Sequence, residues 1–301
     1  MDTAVDTRAA RPLPEWAAWG LLALGVASVS VSAILIRYAE DAGPMAISFW
    51  RCTAGALVLA PFARWNRRGV SRSNLTLSVV AGLFLAVHFA TWISSVNLTT
   101  IAVSVLLVST TPVWTALAVW ILYRERLKGP GWIGIALTLV GAGLIGGGDF
   151  EGSTTTGNLL ALIGGVTVGG YLLAGARARR DLGIVEYAVI AYAIAAVVLL
   201  PICLAVGETL WGYGAQTWWA IAGLVVGPQL LGHTVINATL RNLDATTIAV
   251  TIMFEPIIAT ALAYVLFDEV PSALIYPGGV LILIGIFLVT AVRREPVVPL
   301  E

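Results

Sequence analysis

Charge is what this sequence has least of. Asp, Glu, Lys and Arg make up 11% of its 301 residues, against roughly 25% in a soluble globular domain. Hydrophobic residues make up 58%, and mean hydropathy is +0.90. So little polar surface cannot cover a water-soluble particle of this size, and a soluble fold is excluded. Cysteine is nearly as scarce. Cys52 and Cys203 both fall inside apolar stretches, where a thiol behaves as a small core residue, and two such positions give no basis for a disulfide framework or a metal cluster. Nucleotide and hydrolase signatures are missing too. There is no GxxxxGK[ST], no HExxH and no Ser, His and Asp set at a recognisable spacing. The chain therefore has no phosphate loop of its own for ATP-driven pumping, and no cofactor or enzyme activity is expected. Basic residues sit in short loops, which argues against nucleic-acid binding.

What the chain does have is long apolar runs. A helix needs roughly 20 apolar residues to cross a bilayer. Turn residues and charges cut the sequence into ten such runs, near residues 16–36, 45–63, 75–96, 101–122, 130–148, 157–175, 185–206, 216–239, 246–266 and 272–292. The expected fold is thus an all-α integral membrane protein. Residues 1–15, with Arg8, Arg11, Pro12 and Pro14, read as a polar tail. The run after them is too long for a signal-peptide core and is read as a retained first span. Residues 293–301 form a second tail.

The positive-inside rule tests this layout independently. With ten spans, one side receives Arg8 and Arg11; Arg64, Arg67, Arg68 and Arg72; Arg124, Arg126 and Lys128; Arg177, Arg179 and Arg180; Arg241; and Arg293 and Arg294. That is fifteen of the 17 Lys and Arg. The remaining two, Arg37 and Arg51, lie at or within spans. Loops on the opposite side offer Asp41, Asp149, Glu151, Glu208, Asp268 and Glu269. A missing or extra span would destroy this alternation. Both termini are therefore expected to be cytoplasmic, in the inner membrane of a bacterial cell.

The two halves resemble each other. Pro112 and Glu125 are spaced as Pro256 and Glu269 are, at an offset of 144 residues. At the same offset Gly134, Leu137 and Gly141 match Gly278, Leu281 and Gly285. His88 matches His233 at 145, and Leu57 to Pro61 resembles Val197 to Pro201 at 140. Five spans is an odd number, so the second half (157–292) must lie inverted relative to the first (16–148). Inverted repeats are the architecture of many secondary transporters, with the binding site near the midplane between the halves.

These motifs bear a family likeness. Ser48-Phe49-Trp50-Arg51 leads into Ala54-Gly55-Ala56-Leu57, and Thr111-Pro112-Val113-Trp114 runs to Arg124-Glu125-Arg126-Leu127 and on to Gly134–Gly143. The second half has Phe254-Glu255-Pro256, Asp268-Glu269 and Gly278–Gly285. From about residue 16 to 292 the chain resembles the drug/metabolite transporter superfamily, in its ten-helix EamA branch. That resemblance implies export or exchange of a small metabolite, with amino acids, including aromatic ones, as a common substrate class. Two departures stand out. The second-half counterpart of Arg51 falls near Ala191, so the arginine belongs to one half only, and the small residue usual before the Glu is here Arg124 and Asp268.

Ionisable groups at membrane depth need a reason. Glu255, next to Pro256 in span nine, reads as a carboxylate that binds a proton or a substrate ammonium, or as a structural partner of Arg51. Its first-half counterpart is Thr111. Proline at 256 takes away the donor that the Ile252 carbonyl would meet in a regular helix. Arg51 can anchor a substrate carboxylate, tie helices together, or snorkel to the interface; the structural roles are the plainer reading. In span three Phe84, His88, Thr91, Trp92 and Ser95 share one helix face, with Trp114 of span four as a second wall. In span eight Gln229, His233 and Asn237 form a polar stripe. A face mixing rings and hydrogen-bonding groups suits a small amphipathic ligand, although packing accounts for such residues equally well. Tyr171 and Ser28, Ser30 and Ser32 are weaker candidates. Glu125 and Glu269 read as capping residues, and the glycines of spans five and ten as packing contacts. The leading expectation is a secondary transporter working by alternating access, with a small-molecule substrate, protons as a possible coupling ion and the bilayer as its partners. A lipid-acting intramembrane enzyme and a channel or scaffold are the alternatives.

Overall fold

The computed structural model describes residues 14–65, 70–124, 127–146, 152–179, 182–233 and 251–291, with His233 by its backbone alone. Seven helices are long and apolar enough to cross a membrane: α1 (Glu15–Tyr38), α2 (Pro44–Phe62), α3 (Arg72–Leu98), α4 (Ile101–Tyr123), α5 (Gly129–Gly146), α6 (Thr155–Ala178) and α7 (Ile184–Ala205). Each lies within three residues of an expected span. Helix α8 (Ala215–Leu224) continues as a π-helical stretch, Val225–His233. Two shorter apolar helices follow, α9 (Phe254–Phe267) and α10 (Ile275–Ala291). The expected ends of spans eight and nine fall largely on residues 234–250, outside the described residues. No strand occurs among the described residues.

Several helices are interrupted part-way. The α-helical run of α1 breaks at Val31 and that of α4 at Ser109–Thr110. The main chain turns at Met253 before α9 begins. At 1.5 Å per residue these breaks lie roughly 10–20 Å along the helices from one common face. A broken helix at that depth exposes carbonyls that water cannot reach. In α4 the sequence supplies the substitutes. Ser109 Oγ donates to Val105 O at 2.7 Å, Thr110 Oγ1 to Leu107 O at 2.6 Å and Thr111 Oγ1 to Val108 O at 2.7 Å. The last bond replaces the donor that Pro112 lacks.

Three carboxylates organise the common face. Glu269 Oε2 accepts from Ile101 N at 2.9 Å, at the start of α4. Glu208 Oε2 accepts from Ala46 N at 2.8 Å, at the start of α2, and Asp41 Oδ2 accepts from Gly214 N at 2.9 Å, at the start of α8. Each carboxylate sits where unpaired N–H groups and the helix dipole favour negative charge. On the opposite face the Arg177 guanidinium stacks over Tyr123, 4.3 Å from the ring centroid, and Arg64 N donates to Glu186 Oε1. Among the described residues Asp41, Glu208 and Glu269 thus lie at one end of the helices and Arg64 and Arg177 at the other.

Helices α5 and α10 approach most closely at paired glycines, flanked by Thr138, Ile145, Ile282 and Val289. A Cβ on Gly134 would lie 2.6 Å from Gly285 O, and one on Gly141 2.5 Å from Gly278 O. The pairing runs in opposite senses, so the two helices are antiparallel. It also crosses the sequence match, since Gly134 aligns with Gly278 but touches Gly285.

Most of the remaining core is one cluster that includes Ile47, Cys52, Phe89, Trp92, Tyr192 and Leu224. Cys52 and Cys203 are buried and unbridged. Leu57, Ile121, Ile133, Val197 and Val265 instead point outward, as lipid-facing residues must.

Two left-handed residues end matched helices. Arg124 after α4 has φ 55° and Asp268 after α9 has φ 54°. These are the two positions where the sequence departs from the small residue usual in the resembling family, and the backbone there is one that glycine adopts most readily. Asp tolerates it better than Arg does.

Two stability changes follow. Gly141→Val should cost about 1–3 kcal/mol by prising α5 from α10, lowering the melting temperature in detergent, while Gly143→Ala, with nothing within 4 Å of its Cβ, should leave it unchanged. Arg124→Gly should raise stability by about 1 kcal/mol, and by more than Asp268→Gly does.

Candidate functional site

Arg51 lies in α2 and is 1% exposed, so it does not snorkel to the interface. Its Nε donates to Gln229 Oε1 at 2.8 Å, and Gln229 Nε2 donates back to the Arg51 carbonyl at 3.2 Å. The pair joins α2 to the π-helical stretch after α8. Its guanidinium carbon stands 4.1 Å from the centroid of the Phe89 ring on α3, a cation–π distance. Gly55, one turn further along α2, makes room for the amide: a Cβ there would collide with Gln229 Nε2. The Arg51 Nη1 is buried with no hydrogen-bond partner. Among the described residues no carboxylate pairs with Arg51, and Glu255 does not do so.

Glu255 sits in the first turn of α9, immediately after the turn at Met253. The sequence places it mid-helix, whereas the structure starts a helix there, because Pro256 is accommodated in a first turn, where its missing donor is not needed. Glu255 is half-buried, and among the described residues no hydrogen bond or ion pair reaches its carboxylate.

His88 and Trp92 do share a face of α3, stacked with ring centroids 5.8 Å apart and an interplanar angle of 9°. That face is turned to α6. His88 Nδ1 lies 2.9 Å from Gly164 O, and Trp92 Cβ lies close to where a Cβ on Gly164 would be. The Trp92 Nε1 is buried without a partner. Trp114 donates from Nε1 to Thr110 Oγ1 at 2.8 Å, which anchors it to the break in α4. Tyr171 stacks on Tyr187 at 5.9 Å and its carbonyl accepts from the Tyr187 hydroxyl. Neither Trp114 nor Tyr171 makes a hydrogen bond or ring contact with Arg51, His88, Trp92 or Gln229 among the described residues. The His233 side chain and Asn237 lie outside the described residues. Ser30 bonds back to Val26 O at 2.7 Å, and the buried Ser32 Oγ has no partner.

The structure therefore brings Arg51 and Gln229 together and adds Phe89. Sequence spacing missed Phe89 because it lies one residue off the His88 stripe and turns toward α2. A lone intramembrane arginine calls for an aromatic platform, but only packing says which ring supplies it.

A cavity of about 690 Å³ opens at the acidic face, lined by Arg37, Thr99, Thr100, Ser153, Asp268 and Glu269 among others. Arg37 spans it. Its Nε donates to Val96 O at 2.8 Å and its Nη2 to Thr99 O at 2.9 Å, and the same Nη2 pairs with Glu269 Oε1 at 2.9 Å. Glu269 thus caps α4 and holds the end of α1 at once.

Against known proteins, the chain matches the model of the EamA-like transporter family twice, over residues 16–147 and 155–291. The chain belongs to that family. An uncharacterized transporter of Archaeoglobus fulgidus is 24% identical to this EamA-like chain over 285 residues, covering 91% of it and 98% of the relative. The uncharacterized transporter YdfC of Bacillus subtilis (strain 168) is 22% identical over 251 residues, 82% of either chain. A solved crystal structure 21% identical in sequence covers 92% of this chain and 98% of its own with a TM-score of 0.61, which shows a shared fold. The EamA-like chain is a multi-pass membrane protein of a transporter family, consistent with its resemblance to the drug/metabolite transporters.

The ion pair at the cavity makes a measurable claim. Arg37 and Glu269 are 28% and 17% exposed, so solvent screens them and their coupling should be about 0.5–1 kcal/mol. A double-mutant cycle of Arg37→Gln and Glu269→Gln on thermal melts reads it, and zero coupling would leave helix capping as the sole role of Glu269.

Proposed function

We propose that this EamA-like protein is a secondary transporter that exports or exchanges small metabolites, amino acids foremost, by alternating access. Its ten spans form two inverted five-helix repeats, with both termini cytoplasmic. The observation that carries this reading is the crossed glycine contact of α5 with α10, in which repeat-mates pack on each other as two-fold copies. The double family match and the left-handed ends of α4 and α9 support the same symmetry. The pattern recurs in the other contacts: α3 packs along α6 as the π-helical stretch after its mate α8 packs along α1, and α2 lies against its own mate α7.

Alternating access needs helices that bend in the membrane. The breaks in α1 and α4, the turn before α9 and the π-helical stretch after α8 supply them, since π segments and helix breaks recur at functional sites. The segregation of basic and acidic loop residues supports the orientation. The central site of this reading draws on α2, α3, α4, α6, the α8 segment and α9. Arg51 and Gln229 lie at its polar end, and His88, Trp92 and Trp114 supply rings. Tyr171 lies toward the basic face, and His233 and Asn237 belong to the site in this reading. Glu255, a carboxylate with no partner among the described residues, serves as the proton- or ammonium-binding group.

Reconstitution in liposomes with a panel of radiolabelled amino acids and other metabolites tests transport directly. Flux above that of empty vesicles is expected for at least one class, and none for any class would overturn the proposal. With that substrate, Glu255→Gln should abolish the response to an imposed pH gradient while leaving binding intact. Unchanged pH dependence in Glu255→Gln would remove the coupling role and leave exchange down the substrate gradient.

A further inference from the structure

Among the described residues Arg51 is the buried cation whose hydrogen-bonding set is incomplete. A fully buried guanidinium normally has a carboxylate or a complete set of acceptors, because an isolated buried charge is costly. Here the ring of Phe89 covers one face, and a neutral amide, Gln229, takes the Nε position. The Nη1 has nothing. An amide oxygen on Nε is the uncharged counterpart of one oxygen of a carboxylate, which would engage the fork with two.

We propose that Arg51 is the carboxylate-recognition residue of the transport site and that Gln229 is a placeholder, occupying the fork while no substrate is bound and leaving it when a substrate carboxylate arrives. This rests on the transporter reading and deepens it by naming a substrate class: small molecules with a free carboxylate. Three features carry it. The first is the unpaired buried Nη1. The second is that the amide is a neutral acceptor on a charged donor, its bond from Nε 2.8 Å and its return bond to the Arg51 carbonyl 3.2 Å long, where a carboxylate would bring opposite charge. The third is where Gln229 sits, next to Pro228 in the π-helical stretch. That backbone is already out of α-helical register, so releasing the side chain alters the contact between α2 and the α8 segment at the point where the helix is least regular. Ligand binding and helix movement are thereby linked through the two hydrogen bonds between Arg51 and Gln229. The Phe89 ring, with Tyr192 lying beside Gly55, gives the ligand body an apolar and aromatic surrounding.

The test uses the whole protein in nanodiscs and three pools of radiolabelled probes: the proteinogenic amino acids, their methyl esters and the corresponding decarboxylated amines. The amino-acid pool should bind, and the ester and amine pools should bind at least roughly tenfold more weakly, the loss expected for a hydrogen-bonded charge partner. Arg51→Lys, which keeps the charge but not the fork, should lose a similar factor. Gln229→Glu should place a permanent carboxylate on Arg51, raise the melting temperature and abolish amino-acid binding. Gln229→Ala should bind the amino-acid pool more tightly than the parent, and so should Gly55→Ala, whose methyl group displaces the amide. Equal binding of acids, esters and amines would overturn the proposal, as would no binding of the amino-acid pool or no tighter binding in either Gln229→Ala or Gly55→Ala. The transporter reading fails separately. Carboxylate binding without flux in liposomes would sink transport and keep the site, whereas flux of carboxylate-free solutes alone would do the reverse.

Discussion

Inside a bilayer no water reaches a broken helix, and every carbonyl freed by a break must find a partner within the protein. Much of this molecule follows from that constraint. The break in α4 persists because Ser109, Thr110 and Thr111 each turn a hydroxyl back onto the preceding turn. The Thr111 hydroxyl also lies 3.1 Å from Gly165 O of α6, so a repair within one helix doubles as a tie to the next. At the acidic face the same problem is solved with charge. Asp41, Glu208 and Glu269 each reach the unpaired amides of a neighbouring helix start. Polar residues are few in this chain, and most of those the structure describes serve its own backbone. That is why Arg51 and Glu255 stand out, since neither has its hydrogen-bonding capacity filled.

The helices α1 to α7 were legible in the sequence because hydropathy and loop charge report directly on the solvent that each segment meets. The internal repeat was legible for a related reason: Pro112, Pro256 and the paired glycines fix the backbone, and backbone requirements persist at a fixed offset. The departures at Arg124 and Asp268 become intelligible once both prove to be left-handed. Glu269 was recognisable as a cap, but its second bond to Arg37 was not, because that pairing joins residues more than two hundred positions apart.

The candidate site was less legible. Spacing put His88 and Trp92 on one helix face, correctly, but could not say that the face looks toward Gly164. It named both Arg51 and Gln229, yet on separate grounds and in separate halves. Phe89 was missed altogether. Helical periodicity gives directions around an axis, whereas a site depends on how axes cross, and in a bilayer that crossing is set by small residues such as Gly55, Gly82 and Gly164 whose own signal is weak. Glu255 was placed mid-helix because a proline and an acid in an apolar run carry no mark of which side of the break they fall on.

The glycine seam between α5 and α10 has a consequence for how this chain can vary. Where glycine meets glycine, the nearest atoms to an added methyl group include the facing backbone carbonyl, at 2.5–2.6 Å for Gly134 and Gly141, so the group has nowhere to go unless the facing segment retreats. Because the contacts are crossed, that retreat also disturbs the other pair. The two halves, free to differ at Arg51 and Ala191, are bound to one another at Gly134, Gly141, Gly278 and Gly285 as though they were a single surface, and each half sets the limits within which the other can drift.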